Sequence, residues 1–239
     1  MQEHRTFRRH TMENNRILIR KPLTEISHAE EFFRRLSGID VNHIPEKYGD
    51  AVTRAREILL GRAEAVLLAR RVPILQQDEE TVLLAEDARL SGKMPPKVLA
   101  GADEVICFVG TLAGFSAESG DMMEEYFIDT WGSAYIEAAQ AWFAAEVQTS
   151  LAQEGKKRTH LWCPGQHQFE LTNQKALFQL LAPEDVGCTL TKRFMMLPTK
   201  SVSGIMGVVG ADDETLLRPC DFCRFKATCP STQQGCAVL

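Results

Sequence analysis

Cys220, Cys223, Cys229 and Cys236 stand in the spacing C-x2-C-x5-C-x6-C near the end of the chain. Thiolates are soft ligands, and a C-x2-C pair forms the chelating turn that a tetrahedral Zn2+ or an iron–sulfur cluster can use. The surrounding segment holds Pro219 and Pro230 and few core-forming residues, so a metal would have to order it. Spacing alone does not choose between zinc and a [4Fe–4S] cluster. The Cys229-Pro230 step does match the Cys-Pro end of ferredoxin-like ligand runs. Cys236 lies three residues from the end of the chain; Cys163 or Cys188 could complete the set in its place, and four free surface thiols is the plain alternative. Cys107, inside an apolar run, reads as a small buried hydrophobe.

A second constellation lies upstream: Trp162-Cys163-Pro164-Gly165-Gln166-His167, followed some forty residues later by Ser203 and Gly204. Pro fixes φ and offers no N–H, and Gly accepts the positive φ that other residues avoid, so Pro164-Gly165 must bend the chain sharply. Ala176, Leu177, Leu180 and Leu181 recur at helical spacing from a candidate cap at Thr172, placing the bend at a helix entrance. Residues 187–194 and 201–210 read as strands. Gly204, Gly207 and Gly210 dot the second one, which implies that a ligand or another backbone lies against it, or that the sheet bulges there. His160 and His167 are candidate polar contacts, or ordinary loop histidines.

The remaining elements must hold these two groups. Residues 14–21 read as a first strand. A helix capped at Thr24 buries Ile26, Ala29, Phe32, Phe33 and Leu36 and stops at Gly38. Pro45 opens a second helix ending at Gly61; residues 65–75 and 81–85 read as strands, and 97–101 as a short helix. Residues 103–112 are almost continuously apolar, the signature of a strand covered on both faces. Asp121 and Glu124 begin the longest helix, to about Gln153, with Met123, Phe127, Trp131, Ala134, Ala138, Trp142 and Ala145 as its core stripe. Asp121, Glu125, Asp129 and Glu137 form either an acidic docking ridge or a solvated face. Basic Lys156, Lys157 and Arg158 suit the negative end of that helix.

This order of features resembles the reactivation (AdoMet-binding) domain of cobalamin-dependent methionine synthase and its free-standing relatives associated with corrinoid methyltransferases. The resemblance rests on the Pro164-Gly165 loop, the Leu177-Phe178 helix, the Pro183-Glu184 step, the 187–191 strand, and Met196, Pro198, Ser201, Val202, Ser203 and Gly204. Upstream it takes in residues 99–105, Gly110-Thr111-Leu112 and the acidic helix after Gly120, covering roughly residues 80–210. It implies an α+β fold, a mixed or antiparallel twisted sheet flanked by helices, with a cysteine-rich C-terminal tail added. The expected divisions are a basic arm and first strand (1–22), an activation-like domain (23–210) and the metal-binding tail (211–239).

The resemblance further implies a cofactor site of Trp162, Cys163, Pro164, Gly165, Gln166, His167, Ser203 and Gly204, in which Trp162 to Gln166 lie over the corrin face or under S-adenosylmethionine (AdoMet). Its methyl group, an electron, or both would pass to oxidised Co(II) corrinoid carried by a partner protein. Alignment rather than acid–base chemistry would carry such a reaction, and no nucleophile–base set stands out. The family pattern has an Arg three residues before the Pro and a Tyr after the Gly; here Leu161 and Gln166 occupy those positions, leaving Arg158 or His160 to replace the cation. A low-potential electron would favour [4Fe–4S] in the tail. The other reading is a non-catalytic docking or regulatory module with structural zinc.

Composition bounds these readings. The chain has 239 residues, is 44% hydrophobic and carries a net charge of −5, which gives ample core and argues against general nucleic-acid binding. Arg5, Arg8, Arg9, Arg16, Arg20 and Lys21 make its start locally basic, a solvated arm or an acidic-partner contact. The longest apolar run falls far short of the about 20 residues that span a bilayer, and no signal-peptide pattern leads it. A cytoplasmic protein is expected, its seven cysteines kept reduced. The absence of G-x-x-x-x-G-K-[ST] argues against P-loop ATP use.

Overall fold

The computed structural model describes residues 9–11, 15–213, 216–223 and 226–228. In chain order the elements are β1 (Arg9–Thr11), β2 (Ile17–Pro22), α1 (Ala29–Ser37), α2 (Gly49–Arg62), β3 (Glu64–Gln77), β4 (Thr81–Leu84), β5 (Arg89–Ser91), α3 (Met94–Val98), β6 (Glu104–Ala113), α4 (Met122–Ala152), β7 (Lys156–Arg158), α5 (Gln174–Leu181), β8 (Thr189–Leu190), β9 (Met196–Leu197) and β10 (Ser201–Gly210). The main sheet runs β1-β2-β3-β6-β10-β7 with every neighbouring pair antiparallel, and β4-β5 continue from the far end of β3. This is the α+β, helix-flanked antiparallel architecture expected from the sequence.

β6 lies between β3 and β10, with all but its end residues buried. Side chains alternate across a strand, so its two faces supply two cores. Ile106, Phe108 and Leu112 face α4, while Val105, Cys107 and Val109 face α3, α5 and the β4-β5 hairpin. Burial pushes the Cys107 thiol to about 12, as suits an inert core residue. Across β3, β6 and β7, Glu104 accepts from Arg71 (2.5 Å) and Lys156 (3.2 Å), and Arg71 also reaches Glu154.

α4 is capped as expected: Asp121 accepts from the N–H groups of Met123 and Glu124. Its buried face departs from the predicted stripe. Met123 and Ala145 are exposed and Trp142 half-buried, whereas Ile128, Tyr135, Ile136, Phe143, Ala144, Val147 and Leu151 are buried. The reason is that α4 packs on α1 and α2 along its first half and on the sheet along its second. Its covered side therefore turns along the axis. In the first half, Trp131 stacks on Phe33 (ring centroids 3.9 Å apart) and donates from Nε1 to Val52 O (3.1 Å).

Other elements also shift. The expected helix from Thr24 begins only at Ala29, after a 3-10 turn at Leu23–Glu25. α2 runs through Gly61, and α3 includes Pro95 and Pro96 in its first turn, where a missing N–H costs nothing. Of the expected 187–194 strand only Thr189–Leu190 pairs, with Met196–Leu197. Thr172 caps nothing; Asn173 instead clamps the Ser91 backbone, accepting from its N–H (2.6 Å) and donating to its C=O (2.9 Å). Arg16, Arg20 and Lys21 belong to the folded body rather than to a solvated arm. Arg16 binds Leu181 O and Asp185, Arg20 pairs with Glu64, and Lys21 lies over Trp142. No helix among the described residues is long and apolar enough to cross a membrane.

Candidate functional site

The site begins where the edge of the sheet fails to close. Residues 161–162 run alongside β10, and Trp162 exchanges both main-chain hydrogen bonds with Ile205 (N–H to Ile205 O 3.0 Å, O from Ile205 N–H 2.9 Å). Continuing that antiparallel register sets Pro164 opposite Ser203. Pro164 has no N–H to give, and Gly165, at φ +93°, turns the chain away. The loop then folds on itself: Gln166 N–H donates to Cys163 O (3.1 Å) and Gly165 N–H to Phe169 O (2.6 Å). Ser203 is in the same backbone phase as Ile205, so its main-chain N–H and C=O point into the gap.

The gap is a cleft of about 590 Å3, within the roughly 300–1,000 Å3 typical of small-molecule sites. One wall is loop 163–166 with Leu171 and Gln174, and the opposite one is Ser201, Val202 and Ser203. Phe32 and Arg35 of α1 and Glu137 and Gln140 of α4 close one side, and Met195, Met196 and Thr199 of the β8-β9 hairpin and its exit close the other. Two buried polar atoms in the walls, Ser203 Oγ and Gln174 Oε1, have no hydrogen-bond partner. Such atoms carry a desolvation cost that a polar ligand would relieve. A second groove, about 380 Å3, lies under the last turns of α4 against β2 and β3. Among the described residues, Arg71 Nε is the one buried polar atom without a partner on its walls, and that guanidinium is already committed to Glu104 and Glu154.

Charge in the cleft is two-signed. Arg35 lies over the Phe32 ring, 4.2 Å from its centroid. Glu137 opens to solvent at the cleft but is surrounded by protein on its other sides; this burial pushes its carboxyl above the ordinary carboxylate range, and Arg35 partly opposes the rise. Cys163 hydrogen-bonds Gln140, yet burial dominates and lifts its thiol to about 12. It is a wall residue, not a nucleophile or a ready metal ligand. Cys188 is wholly buried and its thiol is likewise raised by burial.

Of the residues nominated from sequence, Cys163, Pro164, Gly165, Gln166 and Ser203 come together on the cleft walls. Trp162, His167 and Gly204 do not. The Trp162 ring is 1% exposed in the core on the α5 side, meeting His167 edge-on at 6.3 Å and Phe222 at 5.8 Å. Gly204 is needed for close packing, since a Cβ there would lie 2.7 Å from the Phe108 ring and 3.0 Å from Trp162 O. The close approach inferred from its lack of a side chain is to the Phe108 ring and to the Trp162 backbone. Neither suggested replacement cation reaches the cleft wall: Arg158 donates to Ala144 O and Thr159 O, and His160 is not on the lining. Among the described residues the cation on the wall is Arg35.

The expected acidic ridge is dispersed. Asp121 caps α4, Glu125 accepts from the Ser119 and Gly120 N–H groups, Asp129 pairs with Lys200 (2.8 Å), and Glu137 lines the cleft. Arg35 carries no sequence signal and Glu137 reads only as part of an acidic ridge or a solvated face; the two lie a hundred residues apart on different helices. In the tail, Cys220 and Cys223 are half-buried at the ends of a 3-10 turn, with Cys223 N–H donating to Cys220 O (3.3 Å). Cys229 and Cys236 lie outside the described residues. Among the described residues no three metal-ligating side chains converge.

No protein-family profile and no curated relative matches the chain. Among solved structures it is similar to the crystal structure of the MetH reactivation domain bound to AdoHcy, with a TM-score of 0.58 at 14% identity, over 83% of this chain and 79% of that one. The likeness defines the fold class: an α+β domain of the methionine synthase reactivation architecture.

Proposed function

We propose that the chain acts in corrinoid reactivation, binding AdoMet in the cleft between loop 163–166 and β10 and presenting it to a corrinoid on a partner protein. The observation that carries this reading is the open sheet edge at Ser203, where a main-chain donor and acceptor point into the gap and two unpartnered buried polar atoms belong to residues of the same walls. The fold supports it, since the similar MetH domain was solved with AdoHcy. When bound, the sulfonium supplies a methyl group to Co(I), reached from Co(II) by one electron from an external donor, and its sulfur leaves as the neutral thioether of S-adenosylhomocysteine (AdoHcy).

The chain's own residues bind and align. Ser203 and Gln174 offer hydrogen bonds inside the wall, and Phe32, Leu171, Met195 and Met196 give apolar cover that keeps water from the ligand's flanks. No general acid or base is needed, because the methyl arrives already activated. The Cys220–Cys223 turn carries Phe222, whose ring meets Trp162 edge-on. With Cys229 and Cys236 it would hold [4Fe–4S], relaying the external donor's electron in this reading, or Zn2+ as a staple. The set has the donor softness both require.

Calorimetry of the intact protein with AdoMet and AdoHcy tests the reading. Saturable heat and a ligand-dependent rise in thermal midpoint are expected, following RT ln(1 + [L]/Kd). Absence of both at millimolar ligand would remove AdoMet and leave docking on a corrinoid protein as the function. A colourless protein with one zinc per chain would assign the tail a structural part instead of an electron-carrying one.

A further inference from the structure

Trp162 immediately precedes loop 163–166, and its indole ring has two aromatic neighbours. One is His167, just past the loop, met edge-on at 6.3 Å; the other is Phe222, met edge-on at 5.8 Å. Phe222 lies between Cys220 and Cys223 in the turn that closes the described tail. We infer that Trp162 and Phe222 are positioning residues for the cleft loop, and that a metal held by the Cys220–Cys223 turn tightens loop 163–166 through them. This rests on the metal reading of the tail and is independent of whether AdoMet binds.

The loop has a backbone that needs support. Gly165, His167 and Gln168 have φ of +93°, +47° and +66°; the last two carry side chains in the left-handed region, a conformation that persists where neighbours hold it. Trp162 holds it from both ends: its main chain exchanges two hydrogen bonds with Ile205, and its ring meets His167. The ring itself has no hydrogen-bond anchor, because Nε1 is buried without a partner, so packing sets its orientation. Phe222 supplies part of that packing. With Leu217 it is partly buried against the core cluster that contains both Trp162 and Phe169. The turn that presents Phe222 is short, and binding of its two thiolates to one metal removes backbone freedom from it. The tail's metal and the cleft's wall thus meet at one pair of rings.

Hydrogen–deuterium exchange of the intact, ligand-free protein tests the coupling. It compares metal-bound protein, purified anaerobically or reloaded with Zn2+, with protein stripped by a chelator. The readout is exchange over residues 161–171, where the amides of Trp162, Gly165, Gln166 and Phe169 donate hydrogen bonds; β6 is the internal reference. Stripping should speed loop exchange roughly 2- to 12-fold, the range of one edge-to-face aromatic pair, and leave β6 unchanged. Phe222→Ala removes no thiolate, and its metal-bound form should exchange as fast as stripped wild type. Phe222→Leu keeps apolar bulk and should retain part of the metal effect, which serves should Phe222→Ala not fold. A metal effect of full size in Phe222→Ala, or equal exchange in metal-bound and stripped wild type, would overturn the coupling and leave the metal site standing. A wild-type chain that holds no metal as purified and takes up none from Zn2+ would overturn both.

Discussion

Gly204→Ala probes the joint on which the cleft depends. An alanine Cβ at this position would lie 2.7 Å from Phe108 Cε1 and 3.0 Å from Trp162 O, about 0.8 Å inside the roughly 3.5 Å at which carbon atoms pack best. Neither neighbour can retreat easily. Phe108 is fully buried with its ring 5.3 Å from that of Phe143, and Trp162 is tied to Ile205 by two main-chain hydrogen bonds. Overpacking of this kind costs about 1–3 kcal/mol, offset by about 0.5–1 kcal/mol from the reduced freedom of the unfolded chain. A net loss of about 0.5–2 kcal/mol lowers the thermal midpoint by roughly 1–8 °C in a chain of this size. Gly61→Ala is the control. It lies inside α2 with nothing within 4 Å of the new Cβ, so it should gain about 0.5–1 kcal/mol. Circular dichroism melts of both variants decide the matter. A Gly204→Ala midpoint at or above wild type would refute the packing of residues 161–162 against β10, and with it the origin of the cleft.

Other outcomes follow from the same contacts. Ser203→Ala removes a buried hydroxyl that has no partner, so the ligand-free protein should gain about 1 kcal/mol while calorimetric affinity for AdoHcy falls; loss of stability would mean the hydroxyl is satisfied. The Arg71 hydrogen bond, more than Lys156, holds the Glu104 carboxyl below its ordinary value. A depressed carboxylate stabilises above its unfolded pKa and ceases to as pH falls through the lowered folded value. Glu104→Gln should therefore cost about 0.5–1 kcal/mol at pH 7 and progressively less below about pH 4; a gap between the two urea midpoints that stays constant with pH would contradict this. Cys220→Ser and Cys223→Ser should each abolish bound metal, measured by elemental analysis and by anaerobic absorption spectra. Unchanged metal content in either variant would remove the tail as the ligand set.

What could be read from sequence, and what could not, divides along one physical line. β6 was legible because a strand covered on both faces has no polar alternation to disguise it, and the Pro164-Gly165 bend because its backbone constraints are local. Two of the three glycines of β10, Gly204 and Gly207, mark close approach while Gly210 has open space, and an absent side chain does not say what occupies the space; at Gly204 it is the Trp162 backbone and the Phe108 ring. α4 was legible as a helix, yet its buried face was not, because its partners change from α1 and α2 to the sheet along its length. Arg35 and Glu137 lie at the far end of that scale. They lie on different helices, and only the crossing of α1 on α4 beside an unfinished sheet edge places them on one cavity. A cleft lined by charges from distant helices leaves no motif, whereas the backbone irregularity that opens it does; so the loop marks where the cleft is, and the helices that close its side are legible only in the fold.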